Sequence, residues 1–285
     1  MTPLPFCLGY NTNGFAHHRL EDALHVIAEL GYRAVALTPD ANHLPPDRAS
    51  ASAVRTVRRT LERLDLAVVV ETGARYVLDP RRKHHPTLLS TSSSDRQRRL
   101  DFLERCAQIA GQLGGTTISL WSGIAPLDSP RGSAWESLIE GVGVLCARIA
   151  PLGVHVAFEP EPGMLVETLA DWERLRDAVA APNFALTLDV GHVPCSESYS
   201  AGDAIRRYGA ALRNVHLDDT RNGVHEHLQI GDGELDWADI MLALRDVDFD
   251  GIASVELSRH SHAAPDAARS ALERLRSMQE KPCDS

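Results

Sequence analysis

Short apolar, β-branched runs alternate with helix-period segments eight times along the chain. The runs are Phe6–Asn11, Ala34–Thr38, Ala67–Glu71, Thr117–Trp121, Val154–Glu159, Ala185–Asp189, Asn214–Leu217 and Ile252–Leu257. Each is near-continuously apolar rather than alternating, the pattern of parallel strands covered on both faces. Between them, apolar residues recur at helical spacing. Val54, Val57, Leu61 and Leu64 share one face, and Trp135, Leu138, Val142, Leu145 and Ile149 another. Leu169, Trp172, Leu175 and Val179 form a third.

Repeated β-then-α connections force right-handed crossovers. Eight such units in 285 residues, about 36 residues each, close naturally into a (β/α)8 TIM barrel. An open doubly wound sheet is the competing arrangement. It would carry a G-x-G-x-x-G phosphate loop after the first strand, and Gly9-Tyr-Asn-Thr-Asn-Gly14 is not that motif. No linker interrupts the pattern, so residues 1–278 are expected to form one α/β barrel domain, with the polar segment 279–285 a disordered tail.

With 29 basic and 39 acidic residues, the net charge of −10 works against nucleic acid and anionic membrane as partners. The longest apolar stretch, around Leu66–Val70, is far too short to span a bilayer. The N-terminal Met1–Cys7 does not read as a signal peptide. Five cysteines (Cys7, Cys106, Cys146, Cys195, Cys283) form no C-x-x-C pair and read as reduced thiols, which points to the cytoplasm.

In a barrel, chemistry sits at the C-terminal ends of the strands. Strand five ends at Phe158-Glu159-Pro-Glu161-Pro-Gly163 and strand six at Leu188-Asp189-Val-Gly-His192. Strand seven ends at Val215-His216-Leu-Asp218-Asp219 and strand eight at Val255-Glu256-Leu-Ser-Arg259-His260. Taken singly, each acid could be a capping or salt-bridging residue beside a turn. Four at consecutive strand ends converge on one axis, and their repulsion calls for a cation. Glu159, Asp189, His216 and Glu256 offer three oxygens and one nitrogen, a donor set suited to Mn²⁺, Mg²⁺, Co²⁺ or Zn²⁺.

His192, His225 and His227 either chelate a second ion or bind substrate and carboxylates, the last two sharing a face if their segment is extended. His260 is a further pocket candidate. The long irregular stretch Thr72–Asp95 suits a lid. From Ala74 to Arg99 it holds Arg75, Arg81, Arg82, Lys83, Arg96, Arg98 and Arg99 against Asp79 and Asp95. Arg75, Lys83 and Arg259 are candidates for gripping a phosphate or carboxylate; the alternative is a solvated arginine-rich loop. Glu71, Trp121 and Glu161 complete the expected substrate-binding set, Trp121 by stacking.

These strand ends resemble the xylose isomerase-like barrel superfamily, which joins sugar isomerases and epimerases with endonuclease IV. The resemblance spans essentially the whole chain and is strongest from Val154 to His262. It implies one divalent ion on Glu159, Asp189, His216 and Glu256, with Glu159 and Glu256 also as acid and base on opposite sides of the reacting carbon. In endonuclease IV the loop after strand seven reads D-x-H; here it is His225-Glu-His227, and Glu71-Thr-Gly73 and Trp121-Ser-Gly123 stand where further zinc histidines are expected. The Glu71–Tyr76, Lys83–Thr87 and Glu256–His262 strings resemble a sugar phosphate isomerase/epimerase-like subgroup.

The expected activity is therefore metal-dependent isomerisation or epimerisation of a polyhydroxylated small molecule through an enediolate, with one ion or two. A metal-dependent phosphoesterase and a non-catalytic metabolite-binding barrel are the rivals. Relatives of this kind form homodimers and homotetramers.

Overall fold

The computed structural model describes residues 6–127 and 130–279. Eight parallel strands close into a barrel: β1 (Cys7–Asn11), β2 (Ala34–Leu37), β3 (Ala67–Glu71), β4 (Thr117–Leu120), β5 (His155–Phe158), β6 (Phe184–Asp189), β7 (Leu212–Leu217) and the eighth barrel strand, here β10 (Ile252–Val255). β10 pairs with both β7 and β1, so the sheet has no free edge. A small antiparallel hairpin, β8 (Asp219–Arg221) and β9 (Val224–Leu228), is inserted after β7. The barrel, its TIM-type closure and all eight strands follow the sequence pattern, with ends displaced by only a residue or two.

Helices alternate with the strands on the outside. The principal ones are α1 (Leu20–Leu30), α2 (Ala51–Leu64), α3 (Ser93–Leu113), α4 (Arg131–Ile149) and α5 (Leu169–Val179). The short α6 (Val193–Ser196) follows β6, then α7 (Ala201–Tyr208), α8 (Trp237–Asp246) and α9 (Ala264–Gln279). Their starts are written in the sequence. Ser50, Ser92 and Ser200 accept hydrogen bonds from backbone N–H groups of the first turn, and Thr168 with Asp171 closes a reciprocal capping box. The expected helical faces are buried against the barrel: Val54 and Leu61, Trp135 through Ile149, and Leu169, Trp172 and Leu175. α9 continues through Gln279, the first residue of the expected tail; 280–285 lie outside the described residues. Among the described residues no helix is long and apolar enough to cross a membrane.

Register brings the chemistry to one height. Asp189 at the end of β6 lies directly beside His216 of β7. Glu159 follows Phe158, and Glu256 follows Val255, each one step past its strand's last paired residue. Because all strands run the same way, these four side chains gather at one mouth of the barrel.

Candidate metal centre

Ligand-capable atoms of Glu159, Asp189, His216 and Glu256 all lie within 4.8 Å of one another. His216 is the hub. Its Nδ1 stands 3.1 Å from Glu159 Oε1 and 2.8 Å from Glu256 Oε2. Its Nε2 faces Glu71 Oε1 at 2.9 Å. Asn214 Nδ2 donates to the same Glu71 oxygen at 2.9 Å. A carboxylate behind an imidazole fixes the ring and leaves the other nitrogen for the opposite side, the usual support of a metal-binding histidine. Glu71, expected to contact substrate, lines the cavity but spends one oxygen on His216.

The residues fit a cation on two grounds. Asp189 Oδ2 is buried with no hydrogen-bond partner, while its Oδ1 accepts from the Gly191 and His192 backbone N–H groups at 2.7 and 3.3 Å. The electrostatics of the carboxyls point the same way. Burial, opposed by His216 and reinforced by Glu256 and Asp189, pushes Glu159 up to about 7. Burial and the neighbouring Asp218 hold Asp189 well above the carboxylate range, and burial does the same to Asp218 and to Glu161. For Glu256, burial is overcome by the charge and hydrogen bond of His216, which carry its carboxyl well below its ordinary value. His216 resists burial and is raised by Glu71, Glu159 and Glu256. These carboxylates lack positive charge, which a divalent ion at their meeting point provides.

A cavity of about 430 Å³ opens above this cluster. Its walls include Glu71, Arg75, Lys83, Trp121, Glu159 and Glu161 on one side, and His192, His216, His225, His227, Glu256 and Arg259 on the other. Asp189 lies beneath them, buried. His260 is not among the lining residues; it sits in the turn Ser258–Ala263, its ring 6.5 Å from that of His262. His225 and His227 lie on β9 and approach His192. Burial, with the other histidines adding to it, lowers His192 well below its usual value and brings His225 to about 4.

The basic stretch does not act as one unit. Arg82 pairs with Asp79 at 2.8 Å and Arg75 with Asp40 at 3.6 Å. Arg96, Arg98 and Arg99 belong to α3. Arg99 is buried, donating to the Thr72 carbonyl at 2.8 Å with its guanidinium 5.3 Å from the Trp121 ring. Lys83 and Arg259 reach the cavity, and neither makes an ion pair among the described residues. Arg259 donates to the His225 carbonyl at 3.3 Å.

Two contributors were missed from the sequence. Asn13, in the turn Thr12–Phe15 after β1, donates to Glu256 Oε1 at 2.6 Å. The strand-end rule, applied to Asn11-Thr-Asn13, would have found it. Asp218, buried behind the site, contacts His227 Nδ1. Gly191 makes that packing possible, since a Cβ there would stand 2.0 Å from Asp218 Oδ1.

The family model described as xylose isomerase-like TIM barrel matches residues 24–278. The chain belongs to this family. Among curated relatives, this xylose isomerase-like barrel is 27% identical over 166 residues to inosose dehydratase of Geobacillus kaustophilus, covering 50% of this chain and 53% of that one. The match thus spans about half of that relative's length. It is 20% identical to fructoselysine 3-epimerase of Shigella flexneri over 95% of this chain and 97% of that one.

Among solved structures, 3-keto-D-glucoside 4-epimerase from E. coli superposes with a TM-score of 0.79 at 18% identity, covering 95% of this chain and 99% of that one. The IolI protein, solved with a zinc atom, gives 0.78 at 16% identity over 98% and 100%. At these identities the superpositions speak for the fold. The relatives are sugar epimerases and dehydratases.

Proposed function

We propose that this protein is a divalent-metal-dependent isomerase or epimerase of a sugar, sugar phosphate or related polyhydroxy carbonyl compound. The observation that carries the reading is the meeting of Glu159 and Glu256 at His216 Nδ1, 3.1 and 2.8 Å away, beside the buried Asp189. Glu159, Asp189, His216 and Glu256 would hold the ion. The bound ion supplies positive charge that polarises the carbonyl and stabilises the anion left by proton loss.

Glu159 and Glu256 carry the protons. One of them, ionised, takes the proton from the carbon beside the carbonyl, and the C–H electron pair becomes the C=C bond of an enediolate. The other, protonated, gives a proton to the same carbon from the opposite face, which epimerises it, or to its neighbour, which leads to isomerisation. Asn13 and His216 hold Glu256 in place for this, and His216 holds Glu159. Trp121 offers a flat wall to the substrate, while Lys83 and Arg259, neither held in an ion pair among the described residues, stand at the rim to meet an anionic group.

The partial match to inosose dehydratase favours a second outcome from the same start, in which the enediolate expels a β-hydroxyl as water. Both begin with removal of the α-proton, so one experiment reads both. The protein is reconstituted with Mn²⁺ or Co²⁺ and incubated in D₂O with ketoses, ketose phosphates and inososes, and proton NMR follows deuterium at the carbon beside the carbonyl. Metal-dependent exchange is expected on at least one compound, falling at least about 10³-fold in Glu159→Gln and Glu256→Gln. No exchange on any compound by metal-loaded protein would leave a non-catalytic binding barrel.

A further inference from the structure

β1 ends on Asn11, and the turn Thr12–Phe15 brings Asn13 back to the same rim, so both amides line the cavity while more than nine-tenths buried. The oxygen of Asn11 is spent. Its Oδ1 accepts from the Asn13 backbone N–H at 3.0 Å and from the Thr38 hydroxyl at 2.8 Å. A backbone N–H can only donate, so the oxygen lies on that side and Nδ2 on the other. There Nδ2 has no hydrogen-bond partner among the described residues. Asn13 is fixed in the opposite sense: its Nδ2 donates to Glu256 Oε1 at 2.6 Å, and its Oδ1 is buried without a partner.

Neither amide can turn to satisfy itself. A flipped Asn11 would set Nδ2 against the Asn13 N–H, and a flipped Asn13 would set Oδ1 against a carboxylate oxygen. The Asn13 backbone is tied down as well, its carbonyl accepting from Arg75 Nη2 at 3.3 Å and from Ser261 Oγ at 3.1 Å. A buried donor or acceptor left unpaired forfeits its full hydration, and native structures rarely keep one without a reason. The end of β1 thus holds a bare donor and a bare acceptor, two residues apart and in fixed orientations.

We infer that Asn11 and Asn13 form a hydroxyl-recognition subsite that decides which polyhydroxy compound reacts, an inference that rests on the isomerase reading. A hydroxyl both donates and accepts, so it can meet Nδ2 with a lone pair and Oδ1 with its proton. An amide N–H has no lone pair for a metal ion, and two neutral amides offer an anionic group less than Lys83 and Arg259 do. Asn13 also grips Glu256, which serves the reacting carbon. The hydroxyl read here therefore belongs to the next carbon, on the side away from the carbonyl. A compound lacking it leaves both amides unmet in the complex, the situation in which a polar site rejects an analogue most strongly.

The test compares paired compounds. Mn²⁺-loaded full-length protein is incubated in D₂O with D-fructose, D-tagatose, D-fructose 6-phosphate and scyllo-inosose. Each stands beside its analogue lacking the hydroxyl on the carbon after the exchanging one, and proton NMR gives kcat/KM for deuterium exchange in wild type, Asn11→Asp and Asn11→Ser. Asn11→Asp keeps the oxygen that holds Asn13 and Thr38 and removes only the donor; if it unfolds, seen by circular dichroism, Asn11→Ser answers. On any parent that exchanges, wild type is expected to prefer the hydroxylated compound at least about 10²-fold, with tenfold or more of that preference lost in a folded variant. General damage slows both members of a pair alike and leaves their ratio unchanged. A smaller wild-type preference, or one that the folded variants keep, overturns the inference while leaving the isomerase reading intact. Exchange into none of the four parents by wild type overturns that reading, and the inference with it.

Discussion

Replacing Glu159 with glutamine should stabilise the metal-stripped protein, and by more as the pH rises. Burial, only partly opposed by His216, lifts the Glu159 carboxyl from 4.5 to about 7. Between those values the folded protein holds a proton that the unfolded chain has released. The stability this proton represents is fully present below pH 4.5 and is lost as the pH climbs through 7. At about 1.4 kcal/mol per pH unit, the rise from 4.5 to about 7 makes the loss about 3.5 kcal/mol above pH 7. Glutamine does not titrate and escapes it. Large domains move about 2–4 °C per kcal/mol, so the variant should melt roughly 7–14 °C higher in EDTA at pH 8, yet close to wild type at pH 4.5.

Excess Mn²⁺ should reverse the order, because wild type gains the binding free energy of the ion and the variant forfeits much of it. Thermal melts from pH 4.5 to 8, with EDTA and then with Mn²⁺, measure both effects. A pH-independent gap in EDTA, or a wild type that stays below the variant in saturating Mn²⁺, would refute the argument that these carboxylates are arranged for a cation.

Glu71→Gln should weaken metal binding about 10–100-fold without unfolding the protein, because His216 Nε2 loses its carboxylate; competition with a metallochromic dye reads this, and a rise in KM at unchanged metal affinity would instead make Glu71 a substrate contact. Gly191→Ala should cost about 2 kcal/mol or more in urea unfolding and disturb metal binding, since the new Cβ would lie 2.0 Å from Asp218 Oδ1. Asp189→Asn should remove the ion from the carboxylate site, seen as one fewer manganese per chain by elemental analysis, and with it deuterium exchange into substrate.

Much of the candidate site was legible because barrel chemistry is local to strand ends. Each of Glu159, Asp189, His216 and Glu256 terminates an apolar run, and the fold rule then places those ends together. His225 and His227 were legible as a pair through their two-residue spacing, and β9 does extend that segment. What local pattern could not show was direction across the barrel. Glu71 reads as a cavity acid on β3, yet its oxygen reaches His216, 145 positions away in the chain. His260 reads as a neighbour of Arg259, but the turn Ser258–Ala263 carries it off the cavity. The basic residues of 74–99 look like one loop; α3 takes three of them, and Arg99 disappears into the interior behind Trp121.

The sequence by itself determined the eight-fold alternation of strand and helix, and hence which residues stand at the mouth, because hydrophobic period and strand order are properties of neighbouring residues. Only the tertiary structure decided which of those residues meet. The convergence of three imidazoles, the grip of Asn13 on Glu256, and the carboxylate behind His216 all join segments far apart in the chain. Contacts of that kind depend on barrel closure and register, to which no local pattern is sensitive.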